Sequence, residues 1–233
     1  MKPLHVIMPV KDSPDTTCEA IDSLLQIPNI DLTLYNDFST AENTTLLKDL
    51  SEKHGFRLVN WAEHTDHPSP NYRLTLQDAQ QRALEAGAHL VIVESDVLVQ
   101  PDTLERLANM VNDKVAMVAA VTVDTDGNIN FPYQYARHLH GNVVETQKRF
   151  SFCCTLLSNE FLQACDFRQL DPSKSWYDVT ISHQATRLGF RNILMLNNPV
   201  IHRPHSSRPW KQMKYSRPLL YYWQKITRKR DRI

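Results

Sequence analysis

Apolar positions follow two rhythms along this chain, and they alternate. Residues 5–10 (HVIMPV) form a short apolar run that ends in a polar loop. Residues 15–26 place Ala20, Ile21, Leu24 and Leu25 at helical spacing, with Pro28 just beyond. Residues 31–36 (DLTLYN) read as a strand. Ser39 or Thr40 suits the cap of a helix over 41–54, which Gly55 ends. A third strand is predicted over 56–61, then a loop with His64, His67, Pro68 and Pro70. A helix over 74–86 closes at Gly87, the apolar run 89–93 (HLVIV) is a buried strand, and Pro101 opens a helix to about residue 112. Strands alternating with helices of this length predict a parallel sheet with helices on both faces.

The second half reads as a mixed continuation. Strands are expected over 115–123, 150–157 and 193–201, with a turn at Asp126-Gly127-Asn128. Helices are expected over 159–165 and over 179–188, the latter stopped by Gly189. The expected organisation is one α/β domain over 1–205, with a ligand-binding half over 1–112 and an acceptor half over 113–205, and a basic and aromatic helical tail over 206–233.

Length and composition narrow the class. With 233 residues, 42% of them hydrophobic, the chain can bury a sizeable core. No run approaches the roughly 20 apolar residues of a membrane span. The first residues, MKPLHVIMPV, show no long apolar leader, so a cytoplasmic location is expected, with the inner membrane face as a peripheral site. Cys18, Cys153, Cys154 and Cys165 include no C-x-x-C pair and read as buried thiols in a reducing compartment rather than as disulfides or a zinc site. The net charge of zero hides an asymmetry. From Arg203 onward there are ten basic residues and one acid, which leaves 16 bases and 25 acids in residues 1–202. A basic tail on an acidic body asks for an anionic partner. Its Trp and Tyr residues suit peripheral contact with an anionic membrane surface. A nucleic acid backbone or a helix packed on the domain are the other readings, and nucleic acid is not the expected partner.

Ligands of an open parallel sheet bind beyond the carboxyl ends of its strands. The polar residues at those ends are Lys11 and Asp12, Asn36 and Asp37, Glu94, Ser95 and Asp96, then His202, Arg203 and His205. Glu94 and Asp96, two residues apart past a buried strand, suit a shared Mg²⁺ or Mn²⁺ with phosphate oxygens. Acids that merely end a strand and face solvent are the bland alternative.

The blocks VIMPVKDSPDTTCEAIDSLL, LTLYNDFST and HLVIVESDVLVQPDTLERL resemble the inverting family 2 glycosyltransferases, which have the GT-A fold. The resemblance runs over about residues 4–205. It implies a Rossmann-like, mainly parallel mixed sheet and transfer of a sugar from a nucleoside-diphosphate sugar to a hydroxyl of a glycan, lipid-linked or protein-linked acceptor. Pro9, Val10 and Asp12 would line the nucleotide, and Asp37 would bond its base or ribose. Asp96 would bind the metal, with Glu94 in place of the first Asp of the usual D-x-D and Ser95 between them. Gln77, or Asp78, would stand in for an Asn of the preceding helix. The later segment SWYDVTISHQATRLGFRNILMLNNPVIHRPH supplies Asp178 as general base, with Asp171 as fallback, and His202 as a third metal or phosphate contact. Asp178 also reads as a helix cap, and His202 as an ordinary strand-end histidine. Trp176 and Tyr177 would stack on an acceptor sugar or anchor the core, and Tyr133 and Tyr135 would lie on the acceptor side.

No glycine precedes Gly55, so a dinucleotide fingerprint is absent, as is a phosphate-binding P-loop. The rival from another class is a catalytically silent nucleotide-sugar-binding or scaffold module of the same fold.

Overall fold

The computed structural model describes residues 2–147, 150–203 and 217–227. Four strands come first: β1 (Leu4–Val10), β2 (Ile30–Asn36), β3 (Arg57–Asn60) and β4 (His89–Val93). The helices between them are α1 (Pro14–Leu25), α2 (Ala41–His54) and α3 (Tyr72–Glu85). After β4 the chain forms β5 (Val97–Leu98), α4 (Thr103–Ala108), β6 (Val115–Val123), β7 (Val143–Glu145) and β8 (Cys154–Leu157). It continues as α5 (Asn159–Ala164), α6 (Tyr177–Arg187) and β9 (Arg191–His202). A separate helix covers Pro218–Thr227.

The strands join one nine-stranded sheet in the order β3-β2-β1-β4-β8-β6-β9-β5, with β7 also on β9. The first four pair in parallel. β8 is antiparallel to both β4 and β6, so β6 runs the same way as β4, and β9 is parallel to β6. Only β5, β7 and β8 oppose the common direction. The carboxyl ends of β1, β2, β4, β6 and β9 therefore share one edge.

The period-two alternation of a strand sorts the core into two layers. Val6, Met8, Val91 and Val93 face α1, α2 and α4, meeting Ile21, Leu24, Leu47 and Leu104. Ile7, Leu90 and Ile92 face the opposite way, meeting Leu76 and Ala79 of α3, Phe161 of α5 and Ile181 of α6. Each such buried aliphatic side chain stabilises the fold by about 1.5–3 kcal/mol. The run HLVIV is apolar throughout because both its faces are covered.

Several boundaries differ from the sequence pattern, each for a local reason. α2 begins where expected because Thr40 Oγ1 accepts the Asn43 N–H, and Gly55 ends it at φ 76°. α4 spans only Thr103–Ala108, because Met110 and Val111 bond three residues back and tighten the chain out of the helix. The strand expected over 150–157 starts only at Cys154. Upstream, side chains take over the backbone partners: Phe150 N–H donates to Ser182 Oγ, and Ser151 N–H to the Tyr133 hydroxyl. Within α6, Trp176 occupies the capping position and Asp178 lies in the first turn, which corrects the reading of Asp178 as a cap. Of the expected tail, residues 206–216 and 228–233 lie outside the described residues, as does His205.

Candidate active site

The shared carboxyl edge gathers the polar groups. β4 stops at Val93, and the Glu94 N–H donates across to the Cys153 carbonyl at 2.9 Å. The chain turns, with Val97 N–H donating back to Glu94 O at 3.1 Å. The two residues of β5 then pair antiparallel with the end of β9, Val97 opposite His202 and Leu98 opposite Ile201. Arg203 N–H donates to Asp96 O at 2.9 Å and closes the ladder. This short pairing sets the His202 ring against Asp96, with Nε2 at 3.5 Å from Oδ2.

The other ring nitrogen, Nδ1, lies 2.6 Å from the Phe131 carbonyl. A carbonyl only accepts, so Nδ1 carries a hydrogen and Nε2 is aimed at the acid. Asn130 Nδ2 holds the His202 carbonyl at 2.8 Å. His202 and Asp96 are buried, at 4% and 7% exposure.

Glu94 completes the cluster from a partly buried position. A carboxylate oxygen of Glu94, Cys153 Sγ and a ring nitrogen of His202 lie within 4.8 Å of one another. The Cys153 thiol donates to Glu94 Oε2 at 3.2 Å. Burial first, then the charge of Asp96, push the Glu94 carboxyl above its usual range, and Asp178 adds to the same effect. Asp178 is thus within electrostatic reach of the cluster from the first turn of α6. For His202, burial alone would lower the pKa, but the contact with Asp96 and the charge of Glu94 outweigh it and the net shift is upward. Burial and the neighbouring Glu94 hold the Cys153 thiol well above its ordinary range.

Asp12 and Asp37 share the edge but are otherwise engaged. Asp12 Oδ1 accepts from Thr40 N–H at 2.9 Å and Asn43 Nδ2 at 3.1 Å, tying the first loop to the start of α2. Burial would raise its pKa, but these donors and Lys11 bring it below the usual value. Asp37 accepts from the Ser69 hydroxyl at 2.7 Å and from the Asn71 N–H and Nδ2 at 3.0 and 2.8 Å. Lys11 Nζ donates to the Asp37 and Phe38 carbonyls. Asp12, Ser13 and Phe38 all hold positive φ, between 56° and 61°. Left-handed backbone at non-glycine residues costs on the order of 1 kcal/mol each and concentrates at functional edges.

The remaining expected residues divide. Val10 turns its side chain into the core at 3% exposure, and its carbonyl accepts the Asp37 N–H; Pro9 beside it is partly buried. Ser95 is buried between the two acids. Gln77 donates its amide to the Phe167 carbonyl at 3.1 Å, bracing α3 against the second half, and Asp78 binds the Tyr35 hydroxyl and Arg82. Tyr133 is 1% exposed and bonded to Ser151, so it belongs to the core and not to an acceptor surface. Tyr177 is likewise a core anchor whose hydroxyl donates to the Asp171 carbonyl, whereas Trp176 is partly exposed. A 520 Å³ cleft opens at the opposite edge, among Ile27, Asn29, Asp31, His54 and Arg57, away from these acids.

The donor set fits a divalent cation. Glu94, Cys153 and His202 lie close enough together to hold one, with Asp96 against His202 Nε2, while the Phe131 carbonyl steadies the ring in the way an outer-shell partner orients a ligating histidine. Sequence reasoning missed Cys153, Asn130 and Phe131. They reach the site from other strands and loops, and no spacing in the chain links them to residues 94–96.

The model of glycosyl transferase family 2 matches residues 5–194. No curated protein matches the sequence. Among solved structures, the chain is similar to the mannosyltransferase PcManGT from Pyrobaculum calidifontis in complex with GDP-Man and Mn²⁺, at 18% identity and a TM-score of 0.64, covering 98% of this chain and 65% of that one. It is similar to residues 1–349 of TarS from S. aureus, at 13% identity and a TM-score of 0.65, covering 97% and 66%. GalNAc-T7 with UDP, GalNAc and Mn²⁺ gives 12% identity and a TM-score of 0.65 over 89% and 45%. The chain thus spans two thirds or less of the length of these solved chains.

Proposed function

The chain belongs to glycosyl transferase family 2, and from that premise we propose that it is a metal-dependent inverting glycosyltransferase using a nucleoside-diphosphate sugar. The acceptor is a hydroxyl on a glycan, free, lipid-linked or protein-linked. The observation that carries this reading is the buried Asp96–His202 pair beside Glu94, set at the carboxyl edge by the pairing of β5 with β9. Two similar structures were solved with Mn²⁺ and a nucleotide or nucleotide sugar, which supports Mn²⁺ or Mg²⁺ as the cofactor. A chain acting on a lipid-linked acceptor would work in the cytoplasm, at the inner face of the membrane.

Asp96, His202 and Glu94 would hold the cation, which when bound offsets the negative charge of the leaving diphosphate. Pro9, Asp12 and Asp37 form the floor of the nucleotide site, kept in shape by the hydrogen bonds that tie Asp12 and Asp37 to neighbouring loops. Gln77 acts from behind, by bracing α3. Asp178 is the general base: it takes the proton of the acceptor hydroxyl as that oxygen bonds to the anomeric carbon and the bond to the diphosphate breaks.

The test is the thermal shift of the protein with nucleoside diphosphates, with and without Mn²⁺, since a ligand of the folded state raises its melting midpoint. A shift that requires both components, and that Asp96→Ala removes, is expected. A shift indifferent to Mn²⁺ or retained in Asp96→Ala overturns the site. Binding intact but no turnover of any donor, even by slow hydrolysis, would make the chain a binding module.

A further inference from the structure

The helix over Pro218–Thr227 shows solvent an apolar stripe that no interior claims. Leu219 is 88% exposed, Ile226 76%, Trp223 57% and Tyr222 51%. These four stand at i, i+3, i+4 and i+7, which places them within an arc of about 100° on one helical face. Tyr221, close to opposite on the wheel, is buried. The helix is therefore seated by one side and presents the other. Single exposed apolar residues are ordinary on a surface, but an aligned set of four is not.

Charge selects what covers the stripe. The segment from Arg203 onward carries ten bases against one acid, and residues 1–202 carry 25 acids against 16 bases. A neutral protein partner would gain nothing from this asymmetry. A segment of that charge is drawn to an anionic bilayer, where each basic residue near the surface adds to the attraction. Trp223 and Tyr222 are amphipathic rings of the kind that settle at headgroup depth, while Leu219 and Ile226 reach the acyl boundary. With ten residues the helix can lie in the interface but not cross it, and no helix among the described residues is long and apolar enough to span a membrane. We propose that Leu219, Tyr222, Trp223 and Ile226 form a membrane-docking face for an anionic lipid surface. A second copy of the chain meeting this face symmetrically would pair two basic segments against each other, which charge disfavours.

The test is flotation of the full chain with phosphatidylcholine vesicles containing or lacking phosphatidylglycerol. Binding to the anionic vesicles should exceed binding to the neutral ones by roughly tenfold or more and should fall with added salt. Leu219→Ser/Trp223→Ser/Ile226→Ser should reduce anionic binding by roughly tenfold or more. All three side chains are exposed, so the variant's melting midpoint should match the parent's and its loss of binding is not a loss of fold. Equal binding of this variant and the parent overturns the proposal, and an anionic polymer displacing the protein in that case points to a plain polyanion surface. No flotation with anionic vesicles overturns it too, as does a concentration-dependent dimer that the serine variant abolishes. None of these readouts uses a sugar donor, so they stand apart from the proposed transfer activity.

Discussion

Two sets of acids occupy the same edge of one sheet, and they live in opposite conditions. Asp12 and Asp37 are surrounded by donors: backbone N–H groups, a serine hydroxyl and asparagine amides. Glu94 lies against the Cys153 thiol and Asp96 against the His202 ring, where burial and the charge of Asp96 raise the Glu94 carboxyl. Acids of the first kind are spent on architecture; their charge is already met. Acids of the second kind crowd one another, with Glu94 held above its usual range by burial and by the charge of Asp96. This crowding, absent around Asp12 and Asp37, is what separates the two sets, and proximity to the edge alone would not have done so.

The largest effect that tests this contrast is on turnover. Asp178→Asn should lower transfer by roughly 10²–10⁴-fold, the range of a positioned base, while donor binding stays within about twofold. Equal losses in binding and transfer would place Asp178 on the donor instead. Next comes stability. Asp37→Ala should lower the unfolding free energy by about 2–4 kcal/mol in urea titration, because Ser69 and Asn71 lose a charged acceptor they share. Asp96→Ala should cost less than this, since it relieves repulsion with Glu94 even as it removes the partner of His202. A reversed order of these two stabilities would break the comparison.

A finer distinction concerns Cys153, whose sulfur lies beside the Glu94 oxygens and His202. Sulfur favours softer ions over Mg²⁺ or Mn²⁺. Cys153→Ser should weaken Zn²⁺ or Cd²⁺ relative to Mn²⁺ by roughly tenfold in competition titrations. An unchanged preference would mean that the thiol serves Glu94 alone.

How much of this was legible in the chain follows from how local each signal is. β4 and β6 were readable because an apolar run covered on both faces is written in consecutive residues, and α2 because Thr40 and Gly55 sit at its ends. The match of residues 5–194 to glycosyl transferase family 2 bears out the resemblance drawn over about residues 4–205. β5 was not readable: two residues have no period, and they form a strand only because the end of β9 lies alongside. Yet β5 is what brings His202 to Asp96. The same holds for Tyr133, whose aromatic ring suggested an acceptor surface, but whose hydroxyl the backbone of Ser151 draws inward. Asp37 was visible as a strand-end acid, and its donors were not, since they come from a loop more than thirty residues away. Chemistry that depends on long-range pairing leaves only its residue types in the sequence.

The smallest effect lies at the far edge of the sheet and sharpens the contrast from outside it. His89 opens β4, and its Nδ1 accepts the Asn159 N–H at 3.0 Å, so the fold uses the neutral ring. Burial is the main cause that lowers its pKa, and burial likewise lowers that of His5, despite the nearby Asp31. The sign follows from the unfolded chain, where both rings take up protons near pH 6.5. A group whose folded pKa is depressed contributes stability that is complete above the unfolded pKa and is lost as the pH falls through the folded one. Stability should therefore decline on acidification below about pH 6.5, by no more than about 1.4 kcal/mol per pH unit for each histidine. His89→Gln keeps a side-chain acceptor for Asn159 and removes one titrating ring, so urea titrations between pH 5 and 7 should show a shallower slope for that variant. An equally steep slope would assign the acid sensitivity to groups other than His89. The shallower slope would show that the amino edge, like Asp12 and Asp37 at the carboxyl edge, holds His89 in the state the fold has already satisfied.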